Sequence, residues 1–152
     1  MQSHYLHPSN CFVPRETTIV TTVLGSCISV CLFDKVEGKG GINHFMLPKW
    51  NHQKEASHMF GDYSIEELIK IMIFRGSLKE NLVAKIFGGS HRNSSYNKIG
   101  HQNFEQAKET LSRHHIRIVA KSVGGEKARK IIFDTKSGLV KMKYISYDAI
   151  ID

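Results

Sequence analysis

The chain has 152 residues, of which 41% are hydrophobic, and its formal net charge is +7 at pH 7. A chain of this length can bury one sizeable core but rarely two, so we expect a single domain. It contains neither an apolar run long enough to cross a bilayer nor the pattern of a signal peptide, which predicts a cytoplasmic protein. Three cysteines, Cys11, Cys27 and Cys31, favour reduced thiols over a disulfide framework.

The positive charge predicts attraction to something acidic, such as nucleic acid, an anionic membrane face or an acidic protein. Most lysines are scattered, and between Lys136 and Lys143 the basic residues Lys141 and Lys143 alternate with apolar ones. This alternation is typical of the solvated face of an ordinary strand. No nucleic-acid-binding motif is present, so we expect no nucleic-acid partner.

Residues 1–16 are polar and include Pro8 and Pro14, which predicts an irregular arm laid on the surface. We expect the single domain to occupy residues 17–152. Its first strand is predicted at Thr17–Val23, where β-branched residues are concentrated.

The segment Leu24–Ser26 ends this strand, and the apolar run Cys27–Phe33 follows. Its periodicity fits either a buried strand or a buried helical turn, and we favour the strand. A glycine-rich loop then returns the chain for a strand at Ile42–Met46.

A capping box at Ser64 and Glu67 and apolar residues at helical spacing predict an amphipathic helix over residues 64–75. Leu82–Phe87 is predicted to be a buried strand that ends at two glycines, and Ser90–Asn97 has the polar, aperiodic composition of a loop.

A second helix is predicted over residues 100–114, with His114 and His115 in its last turn, where protonated imidazole suits the helix dipole. The rest of the chain is predicted to be β-structure, with strands at Ile116–Val123, Lys130–Asp134 and Leu139–Ser146 and a hairpin turn at Thr135–Gly138. We therefore expect one α/β domain with a mixed or largely antiparallel sheet, flanked by two principal helices.

Cys27 and His44 are the residues with the clearest chemical potential. A thiol just after a glycine turn and a histidine on a nearby strand can form a Cys/His acyl-transfer site, because the imidazole takes the thiol proton and later delivers it to a leaving group. The turn at Gly25 and Ser26 could direct backbone N–H groups at an oxyanion. Thr21, on the incoming strand, could orient the imidazole through its hydroxyl or its carbonyl.

Two other interpretations of these residues remain open on spacing alone. A cysteine in an apolar run is often a small buried core residue, which fits Cys31 well and Cys27 less well. Cys27, Cys31 and His44 could also bind zinc, but structural zinc normally has four ligands, and a second matching pair is missing.

Five segments of the chain resemble, in the same order, the chemoreceptor glutamine deamidase family of bacterial chemotaxis, CheD. The matching segments are residues 21–34, 40–48, 84–90, 99–103 and 123–129. The resemblance implies that Cys27 is the nucleophile, His44 the base and Thr21 the third member of the catalytic set. It implies no cofactor and no metal.

The resemblance also implies a reaction and partners. Cys27 would attack the side-chain amide of a receptor glutamine, and hydrolysis of the thioester would release glutamate; ester hydrolysis at methylated glutamates is possible through the same thioester. The substrates would be cytoplasmic domains of chemoreceptors, so contact with the membrane would be through receptors alone. A CheC-type phosphatase of the response regulator is a further expected partner, and a protein that mainly docks this phosphatase is the alternative function.

Three positions depart from the family pattern: Ser90 replaces an alanine, Gln102 replaces an arginine, and Ala128 replaces a glycine. None belongs to the expected catalytic set. We expect the residues in the matching blocks around these positions to bind substrate or partner, namely Gly88, Gly89, Ser90, Gln102, Asn103 and Phe104. Loss of the arginine at Gln102 keeps open a shifted substrate range or another target protein.

Overall fold

The computed structural model describes residues 1–91 and 98–147, which form nine strands and two α-helices. In chain order these elements are β1 (Gln2–Tyr5), β2 (Asn10–Phe12), β3 (Thr18–Leu24), β4 (Ile28–Asp34), β5 (Lys39–His44), α1 (Gly61–Phe74), β6 (Leu82–Gly88), α2 (Ile99–Arg113), β7 (Arg117–Val123), β8 (Ala128–Asp134) and β9 (Val140–Ile145). A short 3₁₀ turn, Lys79–Asn81, precedes β6.

The strands form two mixed sheets. The five-stranded sheet has the order β2-β5-β4-β6-β7, and the four-stranded sheet has the order β1-β3-β8-β9. Pairing is parallel between β6 and β7 and between β1 and β3, and antiparallel elsewhere. The expected α/β domain with mixed β-structure and two principal helices is confirmed, although its strands divide between two sheets instead of one.

The five-stranded sheet lies between the helices and the four-stranded sheet. Ile28, Val30 and Leu32 of β4 pack with the apolar residues of α1 and α2. Cys31, on the opposite face of β4, packs against the four-stranded sheet. This second core, which we call the inter-sheet layer, contains Leu6, Val20, Leu24, Cys31, Ile42, Phe87, Ile131 and Phe133.

Residues 1–16 are not the irregular arm that their composition predicts. β1 pairs with β3 and β2 pairs with β5, so each forms an edge strand of one sheet. Leu6, between them, is only 1% exposed. Edge strands of three or four residues are held by backbone hydrogen bonds and show too few side chains for a hydrophobic alternation to appear.

The predicted capping box at Ser64 is wrong. α1 begins at Gly61, because the carbonyls of Leu47 and Pro48 accept the backbone N–H groups of Gly61 and Asp62 at 2.8 and 3.0 Å. Ser64 is buried inside the helix, and its hydroxyl accepts a hydrogen bond from Asn43 Nδ2 at 3.0 Å. A side chain used for tertiary contacts is not available to cap its own helix.

The second helix and the other predicted strands agree with the structure to within three residues. His114 and His115 lie just past the end of α2, and His115 has a positive φ of 57°. Of the predicted loop at Ser90–Asn97, residues 92–97 lie outside the described residues. Neither of the two described α-helices has the length and apolar character needed to cross a membrane.

Candidate active site

The pairing of β4 with β5 brings Cys27 and His44 to the same face of the five-stranded sheet. Ile28 and Phe45 exchange both backbone hydrogen bonds, at 3.1 and 3.0 Å. Cys27 precedes Ile28 and His44 precedes Phe45, so the two side chains are diagonal neighbours that both face the inter-sheet layer. Diagonal neighbours lie about 7–8 Å apart at the backbone, within reach of a long or aromatic side chain.

A single hydrogen-bonded chain sets the protonation of His44. The Thr22 hydroxyl lies 2.8 Å from His44 Nδ1 and donates its proton to the Leu6 carbonyl at 2.7 Å. Since a hydroxyl has one proton and the carbonyl takes it, the Thr22 oxygen must accept from His44, and Nδ1 carries the imidazole proton. The unprotonated nitrogen of the neutral ring is therefore Nε2, which can accept the proton of a thiol.

The threonine hydroxyl in contact with His44 is that of Thr22, whereas the resemblance implies Thr21 as the third member of the catalytic set. Val20, Thr22 and Leu24 are buried on the inner face of β3, so Thr21 faces the opposite side. The Thr21 carbonyl accepts the Leu6 N–H at 2.8 Å and is also unavailable to His44. The apolar residues on either side of Thr22 are the sequence signal that identifies its face.

His44 is only 2% exposed, and burial lowers its pKa to about 4, with a smaller contribution from the charge of His7. Burial acts this way because it penalises the charged imidazolium. His44 is therefore neutral at neutral pH, which is the state a general base requires.

The three thiols differ in their surroundings. Cys31 is buried in the inter-sheet layer, and burial raises its pKa far above the ordinary range. Burial, followed by the charge of Glu67, raises the pKa of Cys11 to about 12. Cys27 is partly exposed and is the thiol beside His44. Among residues 1–91 and 98–147, no three Cys, His, Asp or Glu side chains are arranged to hold a metal ion, so the zinc interpretation finds no support in the geometry.

The turn that carries Cys27 is held through three consecutive carbonyls. The Gly25 carbonyl accepts a hydrogen bond from the Ser90 N–H at 3.0 Å. The Ser26 carbonyl accepts one from Asn103 Nδ2 at 3.0 Å, and the Cys27 carbonyl accepts one from the Gly89 N–H at 2.9 Å. The described peptide bonds are all trans, and in a trans peptide the N–H points opposite to the C=O. The N–H groups of Ser26 and Cys27 are therefore directed away from the groups that hold the turn.

Gly88, Gly89 and Ser90, which the sequence suggests as binding residues, support this turn instead. Gly88 has a φ of 111°, and a Cβ there would lie 2.1 Å from the Cys27 carbonyl oxygen, so no larger residue fits. Ser90 is fully buried, and its hydroxyl forms a hydrogen bond with the Tyr147 hydroxyl at 2.5 Å. None of the three presents a side chain to a substrate surface.

The three residues expected to bind on α2 have different environments. Asn103 is fully buried, and its amide also donates to the Met46 carbonyl at 3.0 Å, so its amide nitrogen joins the Cys27 turn to the segment after β5. Gln102 is exposed and lines an open groove of about 530 Å³. Phe104 is half-buried, with the Lys108 and Lys121 ammonium groups 5.4 and 5.2 Å from its ring.

A family model described as "CheD chemotactic sensory transduction" matches residues 46–144. A protein of Trichlorobacter lovleyi named "Probable chemoreceptor glutamine deamidase CheD" is 41% identical over 143 residues, covering 92% of this chain and 89% of the relative. A protein of the same name from Sulfurimonas denitrificans is 38% identical over 148 residues, covering 95% of both. A third, from Vibrio cholerae, is 33% identical and covers 93% of this chain and 65% of the relative. The chain therefore belongs to the CheD family.

Proposed function

We propose that this chain deamidates glutamine side chains of chemoreceptors, with Cys27 as nucleophile, His44 as general base and acid, and Thr22 as the residue that orients His44. The observation that carries the proposal is the strand register that puts Cys27 and His44 on one face, with the tautomer of His44 set by Thr22. The names of the relatives, which are 41% and 38% identical over most of the chain, support the substrate class.

In the first step, His44 Nε2 takes the thiol proton of Cys27, and the sulfur attacks the side-chain amide carbon of the glutamine. The resulting tetrahedral intermediate carries a negative charge on the former amide oxygen. The N–H groups of Ser26 and Cys27 are the candidate donors for this oxyanion, because the turn directs them away from its supports.

In the second step, His44 returns the proton to the leaving nitrogen, so that the C–N bond breaks and ammonia departs from the thioester. Water, deprotonated by the same imidazole, then attacks the thioester carbon. The C–S bond breaks, Cys27 regains its proton, and a glutamate side chain is released. The cycle uses side chains and water and needs no cofactor.

The low pKa of His44 keeps the imidazole unprotonated before the reaction; it also makes the ring a weak base towards the thiol and the imidazolium a strong acid for the leaving group. An acid this strong cannot hold the proton for long once a better acceptor is present. Departing ammonia, a far stronger base than this imidazole, is such an acceptor.

The test is to incubate the purified protein with receptor cytoplasmic fragments and to measure by mass spectrometry the replacement of amide NH₂ by OH. The native chain should convert specific glutamines, and Cys27→Ala should convert none. Cys31→Ala is the matched control, since it removes another thiol that faces the inter-sheet layer. Absence of conversion with every receptor fragment, or equal conversion by Cys27→Ala, would overturn the proposal.

Docking of a CheC-type phosphatase is a second candidate function, favoured by the partly exposed ring of Phe104 with two lysines beside it. Aromatic residues are enriched at protein interfaces relative to the rest of the surface. A pull-down with such a phosphatase should succeed with Cys27→Ala and fail with Phe104→Ala. Equal capture by both variants would exclude this surface.

A further inference from the structure

Arg129 is a buried cation that bridges the two sheets at the end where Cys27 lies. Its side chain is on the inner face of β8, and the residue is only 3% exposed. Its Nε donates to the Ser122 hydroxyl at 3.0 Å, and its Nη1 donates to the Gly88 carbonyl at 3.3 Å. Both partners belong to the five-stranded sheet.

The partners of Arg129 are neutral. No carboxylate among the described residues lies within ion-pair distance of this guanidinium. A charge buried without an opposite charge is costly, so an anion bound beside Arg129 would offset that cost. The guanidinium has five N–H donors in a fixed planar arrangement; Ser122, Gly88 and the Tyr144 hydroxyl are its protein partners, and all three are neutral groups.

An open cleft of about 460 Å³ adjoins Arg129. Its walls are the turn at Gly124 and Gly125, together with Glu126, Lys127 and Tyr144. The Tyr144 ring has two cations near it, with the Lys127 ammonium at 5.6 Å and the Arg129 guanidinium at 5.2 Å from its centre. Glu126 is the acidic group of the lining, and it forms no ion pair with either cation among the described residues.

The cleft is next to the proposed nucleophile. Gly88, which accepts the Arg129 hydrogen bond, pairs with Ile28, the residue after Cys27. A planar guanidinium at the floor of a cleft, with an ammonium at its rim, matches the geometry and charge of a carboxylate.

We propose that the cleft formed by Lys127, Arg129 and Tyr144 is a carboxylate-binding subsite, which holds an acidic side chain of the receptor close to the glutamine being deamidated. The inference rests on the proposed function and adds a rule of substrate choice. On a helical substrate, the acidic residue would be three or four positions from the glutamine, because residues at that spacing share one face.

Lys127→Glu is the decisive variant, since Lys127 is at the rim of the cleft and Arg129→Gln would also remove contacts that join the sheets. Deamidation kinetics should show KM raised by roughly threefold or more, the size of a lost exposed ion pair, with a smaller change in kcat. Lys70→Glu, on the exposed side of α1, changes the net charge equally and should leave KM unchanged. If KM rose equally in both variants, the protein's net charge and not a contact in the cleft would explain the change, and the inference would be overturned.

The receptor side supplies the second arm of the test. Replacing the acidic residues within one helical turn of the modified glutamine by alanine should raise KM for the native enzyme. The same fragment should show no further loss with Lys127→Glu, because the two changes remove one contact. Additive losses would contradict the subsite.

The failures of the two proposals are distinguishable. If no fragment is deamidated, the proposed function is wrong, and binding of the fragment to Cys27→Ala with and without Lys127→Glu then tests the subsite by itself. If deamidation proceeds but Lys127→Glu changes neither KM nor this binding, the subsite alone is wrong.

Discussion

Cys27, in the turn just before β4, and Cys31, four residues later within β4, both face the inter-sheet layer, but their surroundings differ. Cys31 pairs with the Ile42 position of β5 and is enclosed by apolar residues of both sheets. Cys27 is at the end of the same layer, near His44 and Thr22, and is partly exposed. Cys27 is the candidate nucleophile because it lies at the end of the layer, where His44 is available as a base and a substrate can approach.

The largest expected effect separates these two thiols. Cys27→Ala should lower the deamidation rate by about four orders of magnitude or more, since it removes the group that forms the covalent intermediate. Cys31→Ala should keep the rate and lower the free energy of unfolding by about 1 kcal/mol, because it leaves a small cavity. Mass spectrometry of a receptor fragment and urea unfolding measure the two quantities. A large loss of rate in Cys31→Ala would mean that the two ends of the layer are not functionally distinct.

Two glycines sharpen the comparison between the ends. Gly88→Ala, at the catalytic end, places a Cβ against the Cys27 backbone and should lower the free energy of unfolding by at least about 3 kcal/mol and abolish deamidation. Gly138→Ala, at the other end, also requires a positive φ, of 79°, but its Cβ meets the Phe33 ring at 2.8 Å. A ring can rotate aside, so this cost should be about 1–2 kcal/mol with activity retained. Equal costs in urea unfolding would refute this distinction.

Acid should destabilise the catalytic end first. His44 has a pKa near 4 when folded and an ordinary value of 6.5 when unfolded, so the unfolded chain alone gains this proton between those two pH values. The free energy of unfolding is therefore unaffected by this proton above pH 6.5, and it falls by roughly 3 kcal/mol as the pH is lowered to 4. Urea unfolding across this range should show the decline in the native protein and a weaker one in His44→Gln.

The opposite end titrates in a different window. Desolvation raises the pKa of Asp34, but hydrogen bonds from the Glu37 N–H and the Ser77 hydroxyl outweigh it, and the net shift is below the ordinary 3.8. The ionised Asp34 carboxylate therefore stabilises the folded state above pH 3.8, and this stabilisation is lost only below that pH. An equal decline between pH 6.5 and 4 in the native protein and in His44→Gln would show that the loss does not come from His44.

The smallest expected effect distinguishes two adjacent threonines. Thr22→Val removes the hydroxyl that holds His44 and should lower kcat about ten- to hundredfold, the usual cost of losing a group that orients a functional histidine. Thr21→Val alters the outer face of the same strand and should leave kcat unchanged. Thr22→Ser should restore most of the activity, because the hydroxyl returns. If Thr21→Val were the damaging change, the assignment of the inner face would be wrong.

The alternation of apolar residues was enough to predict the long strands and the second helix, because their faces are buried and each face is marked by several residues. The matching blocks around Cys27 and His44 likewise predicted family membership, which the comparisons confirm. The side of β3 that meets His44 was also readable, since Val20 and Leu24 flank Thr22 with buried apolar side chains. The resemblance to the family implies Thr21 instead, which lies on the opposite face of β3.

Other features depend on contacts between distant segments and left no local signal. β1 and β2 are too short and polar to be distinguished from a loop, and the site of Ser64 in α1 depends on Asn43, which is 21 residues away. Asn103 was expected to bind substrate or partner because it lies in a block that matches the family. Its two hydrogen bonds to Ser26 and Met46 exist only after α2 has packed behind the turn.

The pairing order of the four-stranded sheet has a consequence for synthesis of the protein. Thr22 lies on β3, and among the described strands β3 pairs with β1, made first, and with β8, which ends at Asp134. The strand that carries Thr22 therefore gains its second neighbour only when β8 has left the ribosome and paired with it. A nascent chain can already contain Cys27 and His44 before β8 is available, so acquisition of activity should follow the emergence of β8.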